Sequence, residues 1–303
     1  MEKRRVLVCD AMDVATLGLS KDFEVDYSPN MTRDELAAKV GGYDVLVVRS
    51  RTKVNARVIA NATNLKLIVR AGSGVDNIDT DAAGAGGIEV DSSPESLVES
   101  VAEYVVGVMI ALARGTVSAD ASMKAGRWEK GRFVGVELRG KTLGIVGMGR
   151  IGTRVGEIAK VLGMKLLGYD VADVPSDTLE SLGCKMVDLD SLFASSDFIT
   201  LHVPLTAETR HLIDGRRLSL MKRTAFIVNT ARGAVIDEAA LIKSLEAKEI
   251  AGAGLDVLEA EPRITEVVTA PNTITTPHIG GQTEDAQAGA VGVAGAKIRE
   301  FFG

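Results

Sequence analysis

Short apolar runs rich in β-branched residues recur along the chain, with longer stretches of helical spacing between them. The runs are Arg5–Val8, Val45–Val48, Leu65–Val69, Leu143–Val146, Lys165–Gly168, Phe198–Val203, Ala225–Val228 and Ile274–Thr276. Strands buried on both faces read as unbroken apolar runs, so these predict parallel sheets covered by helices. Amphipathic helices are predicted over Thr32–Val40, Arg150–Leu162 and Glu238–Ala247. Strand alternating with helix implies right-handed βαβ units and a doubly wound α/β fold.

The pattern changes at Ser92–Ser93–Pro94. In Ser96–Arg114 the apolar positions Val101, Val105, Val108, Met109 and Leu112 cover much of a helix circumference, as in a buried helix. A polar stretch with the only tryptophan, Lys124–Arg132, follows, and a new βαβ unit opens at Lys141. Two α/β domains are therefore expected, the second starting near residue 96. The tail Glu284–Phe302 reads as a helix in which Gly289, Gly292 and Gly295 permit close packing on a neighbour.

Composition narrows the function. The 303 residues carry a formal charge of −6, against the basic stripe of general nucleic-acid binders. Two cysteines, Cys9 and Cys184, rule out a disulfide scaffold and a cysteine-based zinc site, and no metal centre is expected. The start, MEKRRVLVCD, runs from charge straight into a strand, with no signal peptide. No apolar run reaches the roughly 20 residues of a membrane span. A cytoplasmic protein without membrane or nucleic-acid partners is expected.

Gly147, Gly149 and Gly152 form G-x-G-x-x-G between a predicted strand and a predicted helix. A second strand ends in Asp170, 18 residues past Gly152, which completes a dinucleotide-binding unit. Gly147 would allow the tight turn, Gly149 the approach of a pyrophosphate, and Gly152 close helix–strand packing. The helix N-terminus offers unpaired N–H groups to phosphate. Asp170 would accept from the ribose hydroxyls and repel a 2′-phosphate, which favours NAD over NADP.

The three histidines are His202, His211 and His278. His202 and His278 follow strands, where ligands of open α/β sheets bind, and His211 lies in a polar helical start. Arg232 and Glu261 also follow strands. A hydride-transfer site needs a base, a cation for the substrate carboxylate and a carboxylate partner for the base. His278, Arg232 and Glu261 together meet those needs.

The segments RAGSGVDNID (Arg70–Asp79), GMGRIG, LHVPLTAETRHLI (Leu201–Ile213), NTARGAVIDEAAL (Asn229–Leu241), AGLDVLEAEP (Ala253–Pro262) and TTPHIGG (Thr275–Gly281) resemble the D-isomer-specific 2-hydroxyacid dehydrogenase family. The resemblance covers roughly residues 40–290 in the right order. It implies a Rossmann cofactor domain, residues 96–277, inserted into a flavodoxin-like substrate domain, residues 1–95 and 278–303. It implies Arg232 as the substrate-orienting cation, His278 as acid/base and Glu261 as its partner. The backbone of Ser73, Gly74 and Val75 would cradle the substrate carboxylate, and Asp256 would meet the nicotinamide amide. Arg150 and Ile151 would line the pyrophosphate. His202, Val203, Pro204, Thr209, Thr230, Ala231 and Gly280 complete the cofactor residues that the resemblance implies.

Within the family, the likeness is nearest to members that oxidise a phosphorylated hydroxy acid. It implies Arg49 and Arg70 at the phosphate end, together with Arg132 of a second subunit, since phosphate favours several charge-assisted donors. A homo-oligomer, dimer or tetramer, formed through Ala102–Val136 is implied as well. Reduction of glyoxylate or hydroxypyruvate is the alternative within the family, and an NAD-sensing corepressor-like protein the alternative of another class. Two departures stand out. Many relatives carry an asparagine where this chain has Leu97, which cannot hydrogen-bond. The sequence also ends at Gly303, so feedback through a C-terminal regulatory domain is not expected. Domain closure about Ser92–Glu99 and Pro277–Thr283 is expected, because it would exclude water from the reaction.

Overall fold

A computed structural model describes residues 3–19 and 21–303. The chain forms two compact units: Met1–Val98 with Gly281–Gly303, and Glu99–Gly280. Each crossing point lies three residues beyond the place expected from sequence, so His278 belongs to the second unit.

The first unit is built on a five-stranded parallel sheet. Its strands are β1 (Arg4–Val8), β2 (Phe23–Tyr27), β3 (Val45–Val48), β4 (Leu67–Arg70) and β5 (Glu89–Ser92). Their order is β2-β1-β3-β4-β5, the flavodoxin-like arrangement. Successive strand residues feed opposite faces. Val6, Val45 and Val69 pack with Val291 and Ile298 of the C-terminal helix Glu284–Phe302. Leu7, Leu46 and Ile68 pack with α1 (Arg33–Lys39), α2 (Ala56–Ala60) and α3 (Thr80–Ala85). Thr32 and Glu35 form a reciprocal capping box that starts α1. On the C-terminal helix, Gly295 lets the backbone of Leu17 approach, and Arg299 Nη1 donates to Leu17 O at 2.8 Å.

The second unit holds a seven-stranded parallel sheet: β6 (Thr142–Val146), β7 (Lys165–Tyr169), β8 (Cys184–Met186), β9 (Phe198–Leu201), β10 (Phe226–Asn229), β11 (Gly252–Leu255) and β12 (Thr273–Thr275). The order is β12-β11-β10-β9-β6-β7-β8. This is the Rossmann order with a seventh strand, and its switch point lies between β6 and β9. The helices are α4 (Val98–Arg114), α5 (Thr116–Lys124), α6 (Arg150–Val161), α7 (Ser176–Leu182), α8 (Leu189–Ser195), α9 (Gly215–Leu220) and α10 (Glu238–Glu246). Asp188, Asp214 and Asp237 cap α8, α9 and α10 by accepting backbone N–H bonds. Phe193, Ile199, Leu201, Ile227 and Leu241 lie in the core.

Two features differ from the sequence reading. The segment before α4 is a 3-10 turn, Pro94–Leu97, so the α-helix begins at Val98. Pro94 has no N–H to give and occupies the first turn, where none is needed. The helical run Pro94–Arg114 is, by length and composition, apolar enough to cross a membrane, contrary to the expectation that no run would be. Val101, Ala102, Val105, Val108 and Met109 are buried in the protein, as on a core helix.

Candidate active site

The glycine-rich turn between β6 and α6 has the backbone the fingerprint calls for. Gly147 has φ +96°, and a Cβ there would lie 2.7 Å from the His202 carbonyl oxygen. Only glycine fits such a position. A Cβ on Gly152 would run into the Gly147 carbonyl, so this residue sets the closeness of α6 to the turn. Nothing stands within 4 Å of the Cβ position of Gly149, which is exposed and opens α6 without a side-chain cap. The first amides of α6, including those of Arg150 and Ile151, are therefore a fitting cradle for pyrophosphate. Asp170 closes β7. Its carboxylate accepts from Met148 N at 2.7 Å and Ala172 N at 2.9 Å, which ties the glycine turn to the neighbouring strand.

His202 follows β9 at the switch point, and its Nε2 lies 2.9 Å from Thr200 Oγ1. Burial pushes its pKa down to about 3, so the ring is neutral at physiological pH and is no acid/base candidate. Val203 and Pro204 continue into a loop in which Thr209 Oγ1 donates to Pro204 O at 2.6 Å. After β10, Thr230 Oγ1 is buried without a hydrogen-bond partner among the described residues. An orphaned buried hydroxyl is costly, and here it fits a site made for a polar ligand.

The catalytic candidates converge within this unit. His278 Nδ1 lies 2.9 Å from Glu261 Oε2, and Leu258 N donates to Glu261 Oε1 at 2.9 Å. Both side chains are partly exposed, so the ring is open to a substrate. Burial raises the Glu261 pKa. The His278 hydrogen bond, the Leu258 amide and the charges of His278 and Arg232 outweigh it and hold the carboxyl below its ordinary range. Glu261 thus remains ionised at neutral pH. The stability it contributes is present above the ordinary carboxylate range and is lost as pH falls through its lowered pKa.

Arg232 is half-buried on the loop after β10. Asn229 shapes that loop: its Oδ1 accepts from Ala231 N at 3.0 Å and its Nδ2 donates to Arg232 O at 2.9 Å. Asp256, 2% exposed, organises the His278 loop. Its carboxylate accepts from Thr276 Oγ1, Ile279 N and Gly280 N at 2.7, 2.8 and 2.7 Å, while His278 N donates to its carbonyl at 2.8 Å. These bonds hold His278 at φ +56°, a left-handed conformation uncommon outside glycine. Tyr104 of α4 donates to Thr276, whose own proton goes to Asp256. Reading by motif gave Asp256 but passed over Thr276 and Tyr104, whose bonds join segments far apart in sequence, and Asn229, whose loop-shaping bonds are local and carry no catalytic chemistry.

A second imidazole–carboxylate pair also forms: His211 Nε2 lies 2.7 Å from Glu259 Oε1. In the first unit, Arg49 follows β3, and Arg70 ends β4 with a bond to Gly74 O. Ser73, Gly74 and Val75 form the half-buried loop beyond it. Leu97 lies against Gly281, with Leu97 Cδ2 3.1 Å from where a Cβ would stand. It thus fills space between the two segments at which the chain passes from one unit to the other.

Residues 106–280 match the profile described as D-isomer specific 2-hydroxyacid dehydrogenase, NAD binding domain. The chain is 46% identical over 301 residues to D-3-phosphoglycerate dehydrogenase of Methanocaldococcus jannaschii, covering 98% of this chain and 57% of that protein. It spans about half the length of several such relatives. It is 45% identical to hydroxypyruvate reductase of Thermotoga maritima, covering 95% of this chain and 94% of that one. A solved glyoxylate reductase from Paecilomyes thermophila superposes with a TM-score of 0.90 at 32% identity, covering 99% of this chain and 95% of that one. The chain belongs to the D-isomer specific 2-hydroxyacid dehydrogenase family, and its second unit is that family's NAD-binding domain.

Proposed function

We propose that the protein oxidises 3-phospho-D-glycerate to 3-phosphohydroxypyruvate with NAD. The observation that carries this reading is the His278–Glu261 pair, in the same unit as Arg232 and the glycine turn. The likeness to phosphoglycerate dehydrogenases and the cationic loop at Arg49 support the phosphorylated substrate. Bound NAD would supply a hydride acceptor for C2 of the substrate. Gly147, Gly149 and Gly152 with the amides of Arg150 and Ile151 would hold its phosphates, and Asp170 its ribose. Thr230, Ala231, Asp256 and Gly280 would border the nicotinamide end.

The remaining chemistry falls to side chains. Arg232 orients the substrate carboxylate and polarises the C2 oxygen. His278 takes the hydroxyl proton on its Nε2, because Nδ1 faces Glu261. Glu261 fixes the ring orientation and stabilises the imidazolium as it forms. In the reverse direction His278 returns that proton.

The test is a substrate panel. NAD and NADP are assayed with 3-phosphoglycerate, D-glycerate and D-lactate, and NADH and NADPH with phosphohydroxypyruvate, hydroxypyruvate and glyoxylate. A clear preference for NAD and for the phosphorylated pair is expected. Equal rates with hydroxypyruvate and phosphohydroxypyruvate would favour the reductase relative. No turnover with any substrate would favour a binding role.

The protein also works as a homo-oligomer on this reading. Val117, Met123, Trp128 and Val134 are 52%, 54%, 81% and 86% exposed along one stretch of chain, an apolar surface suited to a second copy. Sedimentation at micromolar concentration should give a dimer or tetramer, and a monomer would contradict it. Cys9 and Cys184 are free thiols, which suits a reducing compartment such as the cytoplasm.

A further inference from the structure

In the first unit, two buried side chains grip the main chain of Arg49 from opposite sides. Asp10, 2% exposed, lies just beyond β1, and its Oδ2 accepts from Arg49 N at 2.6 Å. Asn77, 8% exposed, lies in the loop after β4. Its Nδ2 donates to Arg49 O and to Thr52 O, both at 2.7 Å. Two carbonyl acceptors can be met only by an amide NH2, so the orientation of Asn77 is fixed. Backbone bonds from Val54 N to Asn77 O and from Asp79 N to Val54 O, both 2.8 Å, sew the same two loops together.

The clamp treats the two neighbouring arginines differently. Arg51 Nε lies 2.9 Å from Asp10 Oδ1, and Arg51 Nη2 donates to Cys9 O at 2.7 Å. Arg51 therefore spends its charge on the protein. Arg49 Nη1 donates to Ala11 O at 3.2 Å, and no carboxylate pairs with Arg49 among the described residues. Its other guanidinium donors remain for an anion. The loops involved follow β1, β3 and β4, at the carboxyl edge beside the switch point between β1 and β3, where ligands of such sheets bind.

We infer that Asn77 and Asp10 are positioning residues for substrate specificity: they hold Arg49 so that its guanidinium meets the phosphate of the substrate. This rests on the phosphorylated substrate proposed above. Without the clamp the loop can turn, and Arg49 loses its alignment with a doubly charged group. A substrate lacking phosphate makes no use of that alignment. Asn77 Oδ1 is buried and without a partner among the described residues, a cost that its two donated bonds must offset.

The test compares kcat/KM for 3-phosphoglycerate and for D-glycerate in the wild type, Asn77→Ala, Arg49→Ala and the double variant. The ratio of the two values should fall about tenfold or more in Asn77→Ala, the size of a lost charged hydrogen bond. In the Arg49→Ala background, Asn77→Ala should change the ratio less than twofold, because the residue acts through Arg49. An equal fall for both substrates, or an undiminished effect without Arg49, would overturn the inference. Thermal melting reports whether Asn77→Ala folds. If it does not, Asp10→Ala, which removes the acceptor for Arg49 N, takes its place with the same fall in the ratio expected, and no fall overturns the inference. A wild type that treats both substrates alike would instead overturn the substrate reading itself.

Discussion

His278→Gln should lower kcat by a factor of about 100 to 10,000, the range that acid/base catalysis supplies, with a much smaller change in KM. Glutamine keeps a polar side chain of similar reach but cannot store the proton. The neutral ring takes the proton in oxidation and the imidazolium returns it in reduction. Glu261, held below the ordinary carboxylate range, stays charged through both. His211→Gln provides the comparison, because His211 forms its own pair with Glu259. Near-normal turnover in His278→Gln together with a large loss in His211→Gln would move the proton transfer to that second pair. His202 is the weaker candidate, since burial disfavours the charged form of its ring.

Arg232→Ala should lower kcat/KM by a factor of about 100 to 1,000, the usual loss when one preorganised donor is removed from a developing charge. Both kcat and KM should change, because the guanidinium binds the carboxylate and stabilises the C2 oxygen. Arg232→Lys should recover only part of the loss, since an ammonium lacks the planar fork that meets a carboxylate with two bonds. The loop geometry from Asn229 should survive either change, because the Asn229 side chain bonds the backbone of Ala231 and Arg232 and not the guanidinium. An unchanged KM in Arg232→Ala would contradict the assignment.

Most interior strands of both sheets could be read from sequence and most edge strands could not, although the edge strand β12 appears as the run Ile274–Thr276. β3 and β9, buried along their whole length, appear as the apolar runs Val45–Val48 and Phe198–Val203. The edge strands β2, β5 and β8 escaped notice. Phe23–Tyr27 and Glu89–Ser92 mix polar and apolar residues because an edge faces solvent, and Cys184–Met186 is too short to register a period. The helix α5 was also missed: Gly115, at φ +60°, ends the long apolar pattern, and the polar sequence after it has a weak apolar face. At the candidate site, His278, Glu261 and Arg232 stand out in the sequence because they lie in motifs. Gly147 and Gly152 show the strain and close contact that their spacing implies. The residues that hold the site in place were not visible. Asn77 and Asp10 act on Arg49 across 28 and 39 residues of chain, and Tyr104 reaches Thr276 across 172. No local pattern encodes such pairings.

The most direct measurement uses 3-phospho-D-glycerate carrying deuterium at C2, incubated with the protein and NAD, with the label traced by mass spectrometry. The account predicts that the deuterium leaves the substrate and is recovered in the reduced nicotinamide, one per molecule of phosphohydroxypyruvate formed. Deuterium released to water, or retained by an unreacted substrate under conditions where the protein binds it, would contradict the account.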